Sequence, residues 1–273
     1  MTEATRTHTT RTHTTRTHTD ATGTHTDTTR TYTDTTRTHA GATRTDATRT
    51  YADGPRTDTG APLTYSGAPL TYWDTRHRER DDLASGGHIG LDRPGNEIFY
   101  AVRLGQLLTL IGDLSSPATP LFVLDAGCGK GHFARALARC GHHVDAFDAS
   151  EAAVAHAREE GGGPRYAFAA LDEWRSPWLY DVVMCVDVLF HVMDDAEWAA
   201  GLRNLASLVR ITGRLIVTDE NIPEPVPRGD YILHRPLAAY REELEPLGLT
   251  HTLFRPYGFR ENRVGFHVFT RTR

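Results

Sequence analysis

The stretch LFVLDAGCGKGHFARALARC, residues 121–140, constrains this chain more than any other. A short run of buried-strand character, Leu121 to Asp125, passes through three glycines, Gly127, Gly129 and Gly131, into a segment of helical periodicity, His132 to Cys140. Glycine adopts positive φ without steric cost and lets a backbone approach a ligand closely, while the helix behind it turns free N–H groups toward the same space. The alternation then continues. HHVDAFD (142–148), RYAFAAL (165–171), DVVMCVDV (181–188) and RLIVTD (214–219) read as strands. Helices are expected from Glu151, capped by the Ser150 hydroxyl, and from Asp194 and Asp195 to about Val209. Strands separated by helices at this rhythm make parallel βαβ units. The end differs, because a helix near 237–247 precedes THTLFRPY (250–257) and VGFHVFT (264–270), whose short connection permits only antiparallel pairing. The expected fold is α/β: a doubly wound, mostly parallel seven-stranded sheet with helices on both faces and a C-terminal antiparallel hairpin.

Residues 1–70 have another character. From Thr2 to about Thr59 they are almost entirely Thr, Arg, His, Asp, Ala and Gly, with a five-residue repeat in TRTHTTRTHTTRTHT. A segment this poor in apolar side chains cannot offset the entropy of ordering it, so a low-complexity, disordered tail is expected there. The folded domain is expected over 71–273, with an N-terminal lid and helix at 71–114 and the core at 121–273. Within the first part, apolar residues recur at helical spacing from Gly95 to Leu114, and Pro94 suits the first turn. A net charge of −5 without a basic cluster argues against nucleic acid. The absence of a long apolar run argues against a signal peptide or a membrane partner, and a cytoplasmic protein is expected. Cys128, Cys140 and Cys185 lack zinc-ligand spacing and read as reduced packing residues, with no metal site.

In an open α/β sheet the ligand sits outside the carboxyl ends of the strands, where the glycine turn lies. Spacing separates the candidate ligands. A dinucleotide fingerprint, G-x-G-x-x-G, requires glycine where His132 stands, and a P-loop requires Ser or Thr after the lysine, where Gly131 stands. VLDAGCGKG instead resembles the first motif of the class I S-adenosylmethionine-dependent methyltransferases, and the chain from about Tyr72 onward is similar to that family in element order. The resemblance implies S-adenosylmethionine as cofactor and a small-molecule methyl acceptor as partner. It also implies that Asp125 holds the cofactor's ammonium group beside Gly127, Gly129 and Gly131. By the same resemblance, Asp148 accepts its ribose hydroxyls with Ala149 beside the adenine, Leu171 and Asp172 meet the adenine, and Cys185 and Val186 of MCVDVLFHV lie near its methionine part. AVRLGQLL, residues 101–108, resembles the arginine-bearing helix of ubiquinone-type O-methyltransferases, which implies that Arg103 binds the cofactor's carboxylate.

A hydroxyl acceptor requires a base that titrates near neutral pH, which points to histidine. His191, just past the fourth strand, is the first candidate, and His234, in the insertion after the fifth, is the second. Asp187 is a residue that can orient either. Tyr72, Trp73 and His88 flank a Ser85–Gly86–Gly87 hinge and are expected to form a lid that excludes water. Transfer to oxygen is the leading expectation. Transfer to nitrogen or carbon, a nicotinamide-dependent oxidoreductase and a non-catalytic cofactor-binding protein are the alternatives.

Overall fold

A computed structural model describes the backbone of residues 6–20, 23–37, 45–52, 68–80, 82–112 and 120–273, and the side chains of 72–80, 83–112 and 120–273. The chain divides into two units, residues 1–64 and 65–273. In the first, the backbone of Arg6–Asp20, Gly23–Arg37 and Thr45–Ala52 runs as three antiparallel strands in sequence order, where a disordered tail was expected. Threonine is frequent in all three segments, and β-branched residues favour extended backbone. The side chains of this unit lie outside the described residues.

The second unit holds a seven-stranded sheet. Its strands are β1 (Phe122–Ala126), β2 (His143–Asp148), β3 (Arg165–Phe168), β4 (Tyr180–Cys185), β5 (Val209–Glu220), β6 (Leu249–Pro256) and β7 (Val264–Arg271). The order across the sheet is β6-β7-β5-β4-β1-β2-β3, with β7 antiparallel to both neighbours and the other pairs parallel. The helices are α1 (Ala68–Glu79), α2 (Asp82–Gly86), α3 (Arg93–Gly112), α4 (His132–Arg139), α5 (Glu151–Glu160), α6 (Asp195–Ser207) and α7 (Leu237–Leu244). Strand order reverses between β1 and β4, which is where a doubly wound sheet opens a crevice.

Side-chain alternation explains why the central strands read as unbroken apolar runs. On β4 and just past it, Val182, Met184 and Val186 pack toward α3 and α4 with Leu107, Ile111, Phe133 and Leu137. Val183 and Cys185 pack on the other face toward α6 and α7 with Trp198, Leu202, Tyr240 and Leu244. A strand covered on both faces has no polar side to show.

Two boundaries differ from expectation for local reasons. The strand expected from Arg214 begins at Val209 and carries an irregularity: Tyr180 pairs with Val209 but Val182 with Arg214, and Thr212 sits at φ 67°. The extra residues bulge out and pairing resumes beyond them, so the strand is longer than its apolar pattern. The third strand ends at Phe168 rather than continuing to Leu171, since β3 is the sheet edge and 171–173 form a turn.

Candidate active site

The carboxyl ends of β1, β2, β4 and β5 open into one cavity of about 1040 Å³, covered by residues of α1, α3 and the 85–91 loop. Its floor is the glycine turn. Gly127, Gly129 and Gly131 have φ of 75°, 51° and 79°. A Cβ on Gly127 would stand 2.4 Å from Val188 Cγ2, and one on Gly131 would stand 2.5 Å from the Tyr166 hydroxyl, so side chains are excluded by both strain and space.

Two carboxylates flank the turn. Asp148, at the end of β2, accepts the Gly129 N–H at 2.7 Å and the Ser150 N–H at 2.8 Å, one on each oxygen, which leaves a lone pair on each oxygen for a hydroxyl donor. Burial raises its pKa, while those two N–H bonds pull it down. Asp125 is fully enclosed at the end of β1, and its Oδ2 has no hydrogen-bond partner. Burial, with the Asp148 charge adding to it, pushes its pKa up to about 8, against a lowering hydrogen bond from the Ala134 backbone.

Opposite them stands Arg103 of α3, also enclosed. One guanidinium nitrogen pairs with Asp187, and the group lies against the rings of Phe99 and Tyr100 at 3.9 and 4.2 Å. Its Nη2 is buried without a partner. Burial acts to lower the arginine's pKa, but Asp187 and the neighbouring tyrosines more than reverse this, and the net direction is upward. Asp187 itself takes a left-handed φ of 58° just past β4 and also accepts the Tyr257 hydroxyl at 2.6 Å. It therefore orients Arg103, not a histidine.

The two candidate histidines lie on the far wall. His191 follows β4, and its Nδ1 meets the Tyr231 carbonyl at 2.9 Å. A carbonyl only accepts, so Nδ1 carries the proton and Nε2 holds the lone pair in the neutral ring. Burial lowers its pKa, against the raising effect of that carbonyl. His234 is brought in by a short ribbon in which Leu233 and His234 pair with Pro227 and Val226. It is buried, with Nδ1 at 2.7 Å from Asp219 Oδ1 and Nε2 at 3.6 Å from Glu220 Oε1. Asp219 also accepts the Tyr240 hydroxyl and the Arg235 N–H, so it is fixed on several sides.

Of the residues expected at the site, Arg103, Asp125, Gly127, Gly129, Asp148, Ala149, Leu171, Val186, His191, His234, Tyr72, Trp73 and His88 line this cavity, while Gly131 starts α4 beside it. Two do not. Cys185 points to the opposite face of the sheet, into the packing of α6, because it alternates with Val186. Asp172 lies in the turn after β3, and its carbonyl binds Arg175. At the expected hinge, Ser85–Gly86–Gly87, Arg76 donates to the carbonyls of Ala84, Ser85 and Gly87.

The profile of the family described as "Methyltransferase domain" matches residues 123–213, which span the glycine turn, Asp148 and His191. Residues 123–213 of this chain are therefore similar to a methyltransferase domain. The ubiquinone biosynthesis O-methyltransferase of Rickettsia canadensis is 33% identical over 124 residues, 44% of this chain and 51% of that protein. This chain thus spans about half the length of the curated relatives it matches. Among solved structures, the magnesium protoporphyrin IX methyltransferase of Synechocystis PCC 6803 with bound S-adenosylmethionine superposes with a TM-score of 0.59 at 22% identity, covering 76% of this chain and 99% of that one. The 1,6-didemethyltoxoflavin-N1-methyltransferase of Burkholderia thailandensis gives 0.54 at 21%, covering 78% and 93%.

The cavity has wall residues that spacing did not single out. On α1, Arg76 and His77 join the expected Trp73 on one helical face at the cavity, and Asp74 on the same helix accepts the Ser150 hydroxyl and the Ala152 N–H. Their i, i+3, i+4 spacing was the available signal. Glu220, one residue past the expected end of the fifth strand, also lines the cavity. Its place at a strand's carboxyl end was the signal. Among the described residues no helix is long and apolar enough to cross a membrane.

Proposed function

We propose that this chain transfers a methyl group from S-adenosylmethionine to a hydroxyl oxygen of a small molecule. One observation supports this most: the enclosed Asp125 and Arg103 and the half-buried Asp148 line one cavity with the glycine turn, and the first two each keep a side-chain atom without a hydrogen-bond partner. A lone carboxylate oxygen and a lone guanidinium nitrogen suit the ammonium and carboxylate of an amino acid, and Asp148 beside them suits ribose hydroxyls. The cofactor, when bound, supplies a methyl group on a sulfonium, an electrophile that needs no further activation.

The protein's own contribution is alignment, exclusion of water and proton removal. Trp73 and Tyr72 of α1 cover the cavity beside His191 and Tyr231, with the Trp73 and His191 rings 4.7 Å apart. This cover is the lid in the proposal, with His88 at its edge. His234 is the better base of the two histidines. Its Nδ1–H donates to a buried carboxylate, which leaves the Nε2 lone pair for an acceptor O–H, whereas a carbonyl alone orients His191. A proton taken up at Nε2 faces Glu220 Oε1.

Calorimetric titration with S-adenosylmethionine, S-adenosylhomocysteine and NAD tests the reading. Binding of the first two but not the third is expected, and binding of NAD alone would replace it with an oxidoreductase. Asp148→Ala should weaken binding of S-adenosylmethionine about tenfold or more, from the lost charge-assisted hydrogen bonds. Asp125 adds a pH dependence. Its folded, ligand-free pKa of about 8 means that the carboxyl is largely protonated at pH 7, and an ammonium group needs it ionised. Binding at pH 7 should therefore release a proton, and affinity should rise as pH goes from 6 to 8. Titrations in two buffers of different ionisation enthalpy measure this directly, and equal apparent enthalpies would rule it out.

A further inference from the structure

Glu220 has no role in the reading above beyond standing near His234. It ends β5, is 4% exposed, and lines the cavity. Its Oε1 accepts Arg228 Nη2 at 2.7 Å. Its Oε2 is buried with no hydrogen-bond partner, and Arg263 Nε, at 3.8 Å, is too far to serve as one. A buried carboxylate oxygen left unsatisfied costs stability, and such a group persists where a ligand completes it.

We infer that Glu220 is a specificity residue of the acceptor site, whose Oε2 receives a neutral hydrogen-bond donor of the methyl acceptor, an N–H or O–H other than the oxygen that is methylated. This rests on the methyltransferase reading. A carboxylate accepts and never donates, so the complementary group must be a donor. The donor is neutral because Arg228 already compensates the carboxylate's charge through Oε1, and the Arg263 guanidinium near Oε2 disfavours a second cation. His234 Nε2 and Glu220 Oε1 lie 3.6 Å apart, so an acceptor that meets the histidine with one hydroxyl has Glu220 within reach of a neighbouring substituent. The acceptor class is then a small molecule with two polar sites, a hydroxyl to be methylated and a nearby aromatic amine, amide or second hydroxyl.

The test uses the full chain saturated with S-adenosylhomocysteine and three probes of one shape: 3-aminophenol, resorcinol and 3-methoxyphenol. The first two present a neutral donor at the second position and the third does not. Binding, followed by ligand-observed NMR, should favour the two donors over 3-methoxyphenol by about tenfold. Glu220→Gln should reverse that order. Arg228 retains the amide oxygen, and the amide NH2 then points into the cavity as a donor itself. Affinity for S-adenosylhomocysteine serves as the folding control and should match wild type in this variant. Equal binding of the three probes to wild type, no binding of any of them, or an unchanged order in Glu220→Gln would each overturn the inference. Labelled methyl transfer separates it from the reading on which it rests. Discrimination among bound probes without transfer to any of them leaves Glu220 in place and removes the oxygen-transfer proposal.

Discussion

Arg103→Met is expected to destabilise the domain by about 3–5 kcal/mol, the cost of leaving one partner of a buried ion pair unmatched. Arg103 is 1% exposed and Asp187 is also mostly enclosed, so the aspartate's charge would be stranded beside Tyr257 with little water to take over. Asparagine tolerates left-handed φ better than most residues, and Asp187→Asn removes the charge while keeping an oxygen for the Tyr257 hydroxyl. The double variant Arg103→Met, Asp187→Asn should therefore recover more than half of the loss, because methionine fills the site among Phe99, Tyr100 and Phe133 without needing a counter-charge. Urea unfolding of the two single variants and the double variant measures this coupling. Cofactor affinity should not follow stability: the double variant folds but lacks the guanidinium, and S-adenosylmethionine should bind it about tenfold to a hundredfold more weakly. A double variant that regained affinity along with stability would show that Arg103 only braces α3 against β4.

How much of this site could be read from the sequence depends on how local each feature is. The sheet order and the closing hairpin are legible because parallel crossovers, short connections and buried apolar runs leave few topologies. The glycine turn is legible because three positive-φ positions so close together after a strand strongly favour glycine. Asp187 was less so: sequence adjacency put it near His191, but its side chain turns to Arg103, 84 residues away on α3. Cys185 and Val186 are neighbours in one motif yet serve opposite faces, and only strand alternation tells them apart. The Ser85–Gly86–Gly87 segment has the composition of a hinge, but its carbonyls are held by an arginine one helix earlier, a contact that composition does not encode. His234 and Asp219 are 15 residues apart across an insertion, and it takes the short ribbon at Val226 and Leu233 to bring them together.

That pair carries the largest expected effect on turnover. His234→Ala should reduce methyl transfer by about 10²–10⁴-fold, the usual worth of a positioned general base, with S-adenosylmethionine affinity nearly unchanged because the ring stands away from the glycine turn. Added imidazole should restore part of the rate in this variant, since the cavity left behind can admit a small base beside Asp219. Asp219→Asn tests positioning separately. The amide can turn either its NH2 or its oxygen toward Nδ1; with the NH2 there, the ring proton moves to Nε2, the atom that must accept, and turnover should fall while binding is kept. His191→Ala should cost less, about tenfold at most, because its ring packs on Trp73 and answers only to the Tyr231 carbonyl. Single-turnover transfer from labelled S-adenosylmethionine to an accepted substrate decides between the two histidines. If His191→Ala abolishes transfer while His234→Ala keeps it, the base is the histidine at the end of β4, and the His234–Asp219 pair is a brace that closes the insertion onto α7 through Tyr240.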